Sequence, residues 1–352
     1  MIITSFDYQE NNWSLTDLSL GGLNLIVGKN AVGKSKTLNS LVRVAKIIRG
    51  DLNGLIWGHR CRIVFKLAEG DEMVFSYSIN SQKQIEHEFL KKGDEVILER
   101  NKGVTLLRGE EANPPSDKLC VQSQRDTSNY PEFEAIINWA EQMNGFSFGD
   151  LSSFFSFAIP GMFNEQIEFS ALYEHIKEEK REFVVAKMRE LDYDVEKIEP
   201  VNISEKYTII TLIENGVSIP LHSYIMSNGM LRVFCIFSFL AYLSSEEGAK
   251  TLLIDDLGEG LDFGRSKKLS KIVFDYCEKQ GIQLIVTSND NFLMNAVELN
   301  KWIILQREKE KVIAISEKTH PELFLRFKRT GLNNFDIFGT DFVSKYLKSQ
   351  EG

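Results

Sequence analysis

Eight consecutive residues, Gly28-Lys29-Asn30-Ala31-Val32-Gly33-Lys34-Ser35, spell a complete G-x-x-x-x-G-K-[ST] and restrict this chain more than anything else in it. They follow the apolar run Leu23–Val27 and precede Leu38, Leu41, Val42, Ala45 and Ile48, spaced at three and four residues as far as Gly50. The first pattern predicts a buried strand and the second an amphipathic helix. A chain of phosphates needs many N–H donors at close range, and glycines let the backbone supply them. A helix beginning near Lys34 adds the positive end of its dipole. Lys34 is therefore the candidate for the β- and γ-phosphates and Ser35 for Mg²⁺. Gly28, Lys29, Asn30, Ala31, Val32, Gly33 and Lys36 complete the candidate cradle.

Far downstream, Thr251-Leu252-Leu253-Ile254-Asp255-Asp256 predicts another buried strand, ending in two acids. Adjacent carboxylates at that place suit a nearby cation. Asp255 is the candidate magnesium ligand, and Asp256 the candidate that orients or deprotonates an attacking water. Just upstream, Ser227-Asn228-Gly229-Met230-Leu231-Arg232 opens an apolar helix. Taken alone it is an N-cap; a hydroxyl, free N–H groups and a dipole also make an anion site.

In this order and spacing the segments resemble the ATP-binding-cassette superfamily, in its SMC/RecF-like branch. Within that branch the chain is similar to stand-alone bacterial ATPases of retron, Septu and overcoming-lysogenization-defect type systems. The resemblance covers about residues 1–125 and 205–315. It implies that Ser227 and Gly229 contact the γ-phosphate held by an opposite subunit, and that Asp262, in Gly260-Leu261-Asp262, lies at the dimer interface. Gln122 and Gln124 are alternative candidates for the Q-loop, each equally readable as a surface glutamine. Phe6, Tyr8 or Trp13 is a candidate to stack on adenine, against core packing for each. Three departures stand out. Asp256 replaces the family's catalytic glutamate, Asn289 falls where a switch histidine is usual, and the signature reads Ser-Asn-Gly-Met. A shorter base and an amide that takes no proton near neutral pH imply slow turnover, with ATP acting as a conformational clamp.

The rest of the chain fits an α/β head with a central, mostly parallel sheet, an antiparallel β-subdomain and a helical insertion. Residues 61–107 alternate between Glu69-Gly70-Asp71, Lys91-Lys92-Gly93-Asp94 and Asn101-Lys102-Gly103, which predicts hairpins. Residues 131–192 predict helices, with Phe169, Leu172, Tyr173, Ile176, Phe183, Met188 and Leu191 on one stripe. The expected division is 1–125 for the N-terminal half of the head, 126–205 for the insertion and 206–352 for the remainder.

Composition narrows the function. A net charge of −9 would repel nucleic acid, so any such contact needs a local basic patch. Cys61, Cys120, Cys235 and Cys277 form no CxxC pair, and the five histidines show no ligand spacing, which predicts free thiols in a reducing, cytoplasmic setting. The N-terminus reads as no signal peptide, and the run Val233–Leu243 is too short to span a bilayer, so no membrane partner is expected. The expectation is an ATPase of low turnover that forms an ATP-sandwich homodimer. It would act as a switch for a separate effector, such as a nuclease or toxin, in anti-phage defence. The alternative is a DNA-repair or chromosome-associated ATPase that clamps DNA directly. A transporter subunit is disfavoured by the signature and the missing histidine, and a GTPase by the lack of an Asn-Lys-x-Asp segment.

Overall fold

The computed structural model describes residues 1–51, 58–147, 173–174, 176–204, 207–244 and 250–349. The chain begins with the hairpin β1 (Ile2–Glu10) and β2 (Trp13–Ser19), then β3 (Leu23–Val27), the glycine turn and α1 (Lys34–Arg49). The alternating segments form β4 (His59–Lys66), β5 (Glu72–Ile79), β6 (Ile85–Lys92), β7 (Glu95–Asn101), β8 (Val104–Leu107) and β9 (Glu110–Ala112). α2 (Cys120–Ser123), α3 (Pro131–Glu141) and β10 (Met143–Ser147) follow, and then α4 (Glu178–Glu190), β11 (Val195–Ser204), β12 (Tyr207–Glu214) and β13 (Leu221–His222). The C-terminal part runs α5 (Asn228–Leu243), β14 (Thr251–Asp255), α6 (Phe263–Gln280), β15 (Gln283–Thr287), α7 (Asn291–Ala296), β16 (Trp302–Glu308) and β17 (Lys311–Ser316). It ends with α8 (Pro321–Lys328), α9 (Asp336–Gly339) and α10 (Phe342–Lys348).

One sheet carries the order β10-β14-β15-β3-β16-β17-β2-β1-β4-β5-β6-β7-β8-β9. From β10 to β16 the pairing is parallel; beyond β2 every pairing is antiparallel, as the hairpin signals predict. The parallel strands are apolar on both faces because helices cover both. Leu25, Val27, Leu252, Ile254, Leu284 and Val286 meet α5 and α6, while Ile26, Leu253 and Ile285 meet α1 and α3. α5 is buried nearly all round, as an apolar helix without a polar face must be. Each large side chain so enclosed contributes about 1.5–3 kcal/mol.

The helical reading of 131–192 is correct only in part. Met143–Ser147 is a strand, added to the sheet edge in parallel with β14. Beyond that range, Val195–Ser204 is a strand paired with β12. Phe169 and Leu172 lie outside the described residues; Tyr173, Ile176, Met188 and Leu191 are buried in the same core as α5. The C-terminal segment packs inward, with Ile337 and Val343 buried and Phe342 edge-on to Phe327. No helix among the described residues is long and apolar enough to cross a membrane.

Candidate functional site

The glycine turn leaves the C-terminal end of β3 with Ala31 at φ 61 and Gly33 at φ 116. At Gly33 a side chain would be strained, so only glycine reaches this curl without cost. Arg307 pins the turn from outside, donating Nη1 to the Ala31 carbonyl at 2.9 Å. The N-terminus of α1 has no side-chain cap and no acid in its first turn, so its N–H groups face outward undemanded. That is the arrangement an anion needs. Lys34 folds back over the turn, its Nζ donating to Gly28 O at 3.0 Å. Lys29, Asn30, Ala31, Ser35 and Lys36 are exposed around the rim and Val32 is buried beneath it.

The acids arrive two strands away. β15 lies between β3 and β14, pairing Thr287 with Ile26 on one side and Val286 with Ile254 on the other. This places the ends of all three strands along one edge. Thr287 then joins the pair of carboxylates: its Oγ1 donates to Asp255 Oδ1 at 2.6 Å and accepts from the Asp256 N–H at 2.8 Å. Asp256 is held at φ 51, a left-handed conformation unusual for a residue with a side chain. Burial raises its pKa, the charges of Asp255 and Glu259 raise it further, and Lys34 and Arg232 oppose them. Lys34 responds in kind: burial lowers its pKa while Asp256 and then Asp255 pull it upward. The turn lysine and the paired acids therefore share one electrostatic site. A carboxyl that holds a proton more tightly than an ordinary aspartate suits a group that must take one from water.

The Ser227 helix start is built against the acid loop. Ser227 caps α5, its Oγ accepting from Met230 N at 3.3 Å. A Cβ on Gly229 would lie 2.6 Å from Gly260 O, so the two segments touch backbone to backbone. Arg232, only 3% exposed, donates to the Asp256 carbonyl at 3.0 Å and to Glu259 Oε2 at 2.7 Å. Asp262 caps α6, accepting from Arg265 N at 3.0 Å. Asn289 is exposed at the end of β15, two residues beyond Thr287.

Other candidates are not brought here. Gln122 Nε2 donates to the carbonyls of Ile47 and Ile48, satisfying the C-terminus of α1. At 1.5 Å per residue that is about 20 Å from the turn. The Q-loop expectation for Gln122 is thus replaced by a helix-capping role, and Gln124 closes α2. Phe6, Tyr8 and Trp13 are all buried. Trp13 backs the turn, with the Lys36 ammonium 4.5 Å from its ring centroid. Thr287 and Arg232 escape sequence reasoning. The only signals were a hydroxyl ending an apolar strand and a charge one turn into an apolar helix.

The donor set suits one metal type. Ser35 and Asp255 offer hard oxygens, and magnesium commonly takes one or two protein oxygens and keeps several waters. Among the described residues no group of three or more His, Cys, Asp or Glu side chains offers a denser site.

A parallel sheet with a phosphate-type turn after β3 and paired acids after β14 defines a nucleotide-binding ATPase head of the P-loop class. More particularly, the chain belongs to the family described as "AAA domain, putative AbiEii toxin, Type IV TA system", which matches residues 23–295. Its fold is similar to the Smc head bound to the C-winged helix domain of ScpA, at TM-score 0.57 and 13% identity, covering 91% of this chain and 99% of that one. It is also similar to the Smc head domain with an extended coiled coil bound to the C-terminal domain of ScpA derived from Pyrococcus furiosus. There the TM-score is 0.55 and the identity 12%, over 93% and 99% of the two chains. No curated protein matches the chain.

Proposed function

We propose that this chain binds ATP with Mg²⁺, closes as a homodimer around two nucleotides, and hydrolyses them slowly. The bound state would then be a switch read by a separate effector protein, such as a nuclease or toxin, in anti-phage defence. The observation that carries the ATPase reading is the convergence of Lys34, Asp255 and Asp256 at one edge of the sheet, coupled through their charges. The effector and the defence role rest on the resemblance of the sequence motifs; the net charge of −9 favours a protein partner over DNA.

The turn and the bare start of α1 bind the phosphates, and Lys34 neutralises their outer charge. Ser35 and Asp255 would hold magnesium, which supplies further neutralisation when bound. Thr287 orients Asp255 and fixes the backbone of Asp256, whose carboxylate orients the water and receives its proton. Ser227 and Gly229 present the serine-capped start of α5 to a phosphate held by the other copy, and Asp262 follows Gly260, against which Gly229 packs, on the loop after β14.

Light scattering on Asp256→Asn with ATP should give the mass of a dimer, with monomer for Lys34→Ala and for either variant without nucleotide. Monomer under every condition would rule the reading out.

A further inference from the structure

We propose that the solvent face of the antiparallel strands carries a binding site for a small phosphorylated sugar, centred on Arg60 and separate from the glycine turn. Along β1, β2, β4 and β5 successive side chains point to opposite faces of the sheet. Tyr8, Leu15, Cys61 and Tyr77 are buried in the core that holds α1. Their chain neighbours therefore face away from that core, and there they enclose a cavity of about 550 Å³. That volume lies within the range of small-molecule sites, with room for a whole ligand.

Strand register builds the floor. Ser14 lies opposite Gln9, Gln9 opposite Arg60, Arg60 opposite Ser78, and Ser78 opposite His87. One row thus crosses β2, β1, β4, β5 and β6 without a carboxylate, and the short side chains beside Arg60 leave the hollow. The next row sets Arg62 between Asp7 and Ser76. Asp7 is the one carboxylate among the described residues that line the cavity. Its Oδ2 is 3.9 Å from Arg62 Nη1 and its Oδ1 accepts from the Asp17 N–H at 3.0 Å. Asp7 and Arg62 balance each other, so Arg60 leaves the cavity with a positive charge.

The donor set identifies the ligand. Among the described residues, the Arg60 guanidinium and the hydroxyls of Ser14, Thr16 and Ser78 have no hydrogen-bond or ion-pair partner within the chain. His87 is already engaged, its Nε2 3.3 Å from Ser76 Oγ. A guanidinium fork matches the oxygens of a phosphate, which accepts from two arginines at once. Arg60 and Arg62 are two residues apart on one strand face, about 6.6 Å, so a single phosphate group between them reaches both. The unpaired hydroxyls suit the hydroxyls of a sugar, and Asp7 can accept from one of them. A long polyanion would meet the net charge of −9 along its whole length, which favours one phosphate on a small ligand over a nucleic acid.

The test is calorimetric titration of ribose 5-phosphate, and separately of ribose, into the full chain. The phosphate ester should bind, and ribose should bind about 10-fold more weakly or worse, as hydrogen bonds to a charged group require. Arg60→Ala should weaken ribose 5-phosphate by about 10-fold or more and leave Tm unchanged, because the side chain is exposed. Ser78→Phe fills the floor without removing a charge and should abolish binding. Lys34→Ala should change the affinity by less than about twofold, since the glycine turn is a separate site. No binding by the parent chain, an affinity unchanged in Arg60→Ala, or a loss in Lys34→Ala would overturn the site. A single-stranded oligonucleotide bound where ribose 5-phosphate is not would overturn it as well.

Discussion

Replacing the Thr287 hydroxyl with a methyl group removes a donor from Asp255 and an acceptor from Asp256 in one step. The position is fully buried, so water does not substitute for the lost partner. Thr287→Val should therefore cost about 1–3 kcal/mol in stability, and steady-state ATPase turnover should fall well beyond that of a Val control at an unrelated buried threonine such as Thr105. Asp256 gives a pH signature. Burial and the neighbouring acids raise its pKa above that of an ordinary aspartate, and only the ionised form accepts a proton. Turnover should then be lost as pH falls, beginning at a higher pH than a free aspartate would set. A pH–rate profile with no acid limb above the ordinary aspartate range would remove Asp256 as the base.

At the level of elements, Gly229 and Glu88 illustrate two kinds of junction. Gly229→Ala puts a methyl 2.6 Å from a backbone oxygen, and neither segment yields easily. The expected cost is about 1–3 kcal/mol in urea unfolding, together with loss of the ATP-dependent dimer. Glu88 is fully buried on β6, accepting from the N–H groups of Cys120 and Val121, with Arg100 at 3.8 Å. Burial dominates and pushes its pKa up to about 7 from 4.5, against those partners. Because the folded value is raised, this group's stabilisation is complete below about pH 4.5 and is lost as pH rises through about 7, roughly 3 kcal/mol in all. Glu88→Gln should flatten the dependence of Tm on pH across that window; an unchanged slope would refute the assignment.

These junctions also show which parts of the fold were legible in sequence. The glycine turn, the strand ending in Asp255-Asp256 and the hairpins of 61–107 carry local signals, because glycine, charge and alternation are written in the residues themselves. β10 is not, since Met143-Asn144-Gly145 has no strand character and owes its conformation to pairing with β14. β11 contains Pro200 among charged residues, tolerable because it lies at the edge of its small sheet. Gln122 was misplaced for a similar reason: its partners are carbonyls at the far end of α1, which no spacing rule reveals.

Across the whole molecule, the last helices close the core. Ile337 and Val343 are buried and Phe338 stacks on Trp302. Removal of residues 336–352 should lower the unfolding free energy by about 3–6 kcal/mol from the two lost aliphatic side chains, measurable in urea. Asp341→Ala should leave it nearly unchanged, because the Lys29–Asp341 pair is solvent-exposed on both sides. The sheet order has a further effect during synthesis. β3 is made early, but both strands that flank it, β15 and β16, come from the other end of the chain. A nascent polypeptide halted before residue 287 therefore displays an unflanked strand with its turn exposed on the ribosome. Pairing over such sequence separations is slow, and the waiting strand is open to aggregation. Competence to hold a ligand would arrive abruptly, late in translation, when roughly the last fifth of the chain supplies β15 and β16.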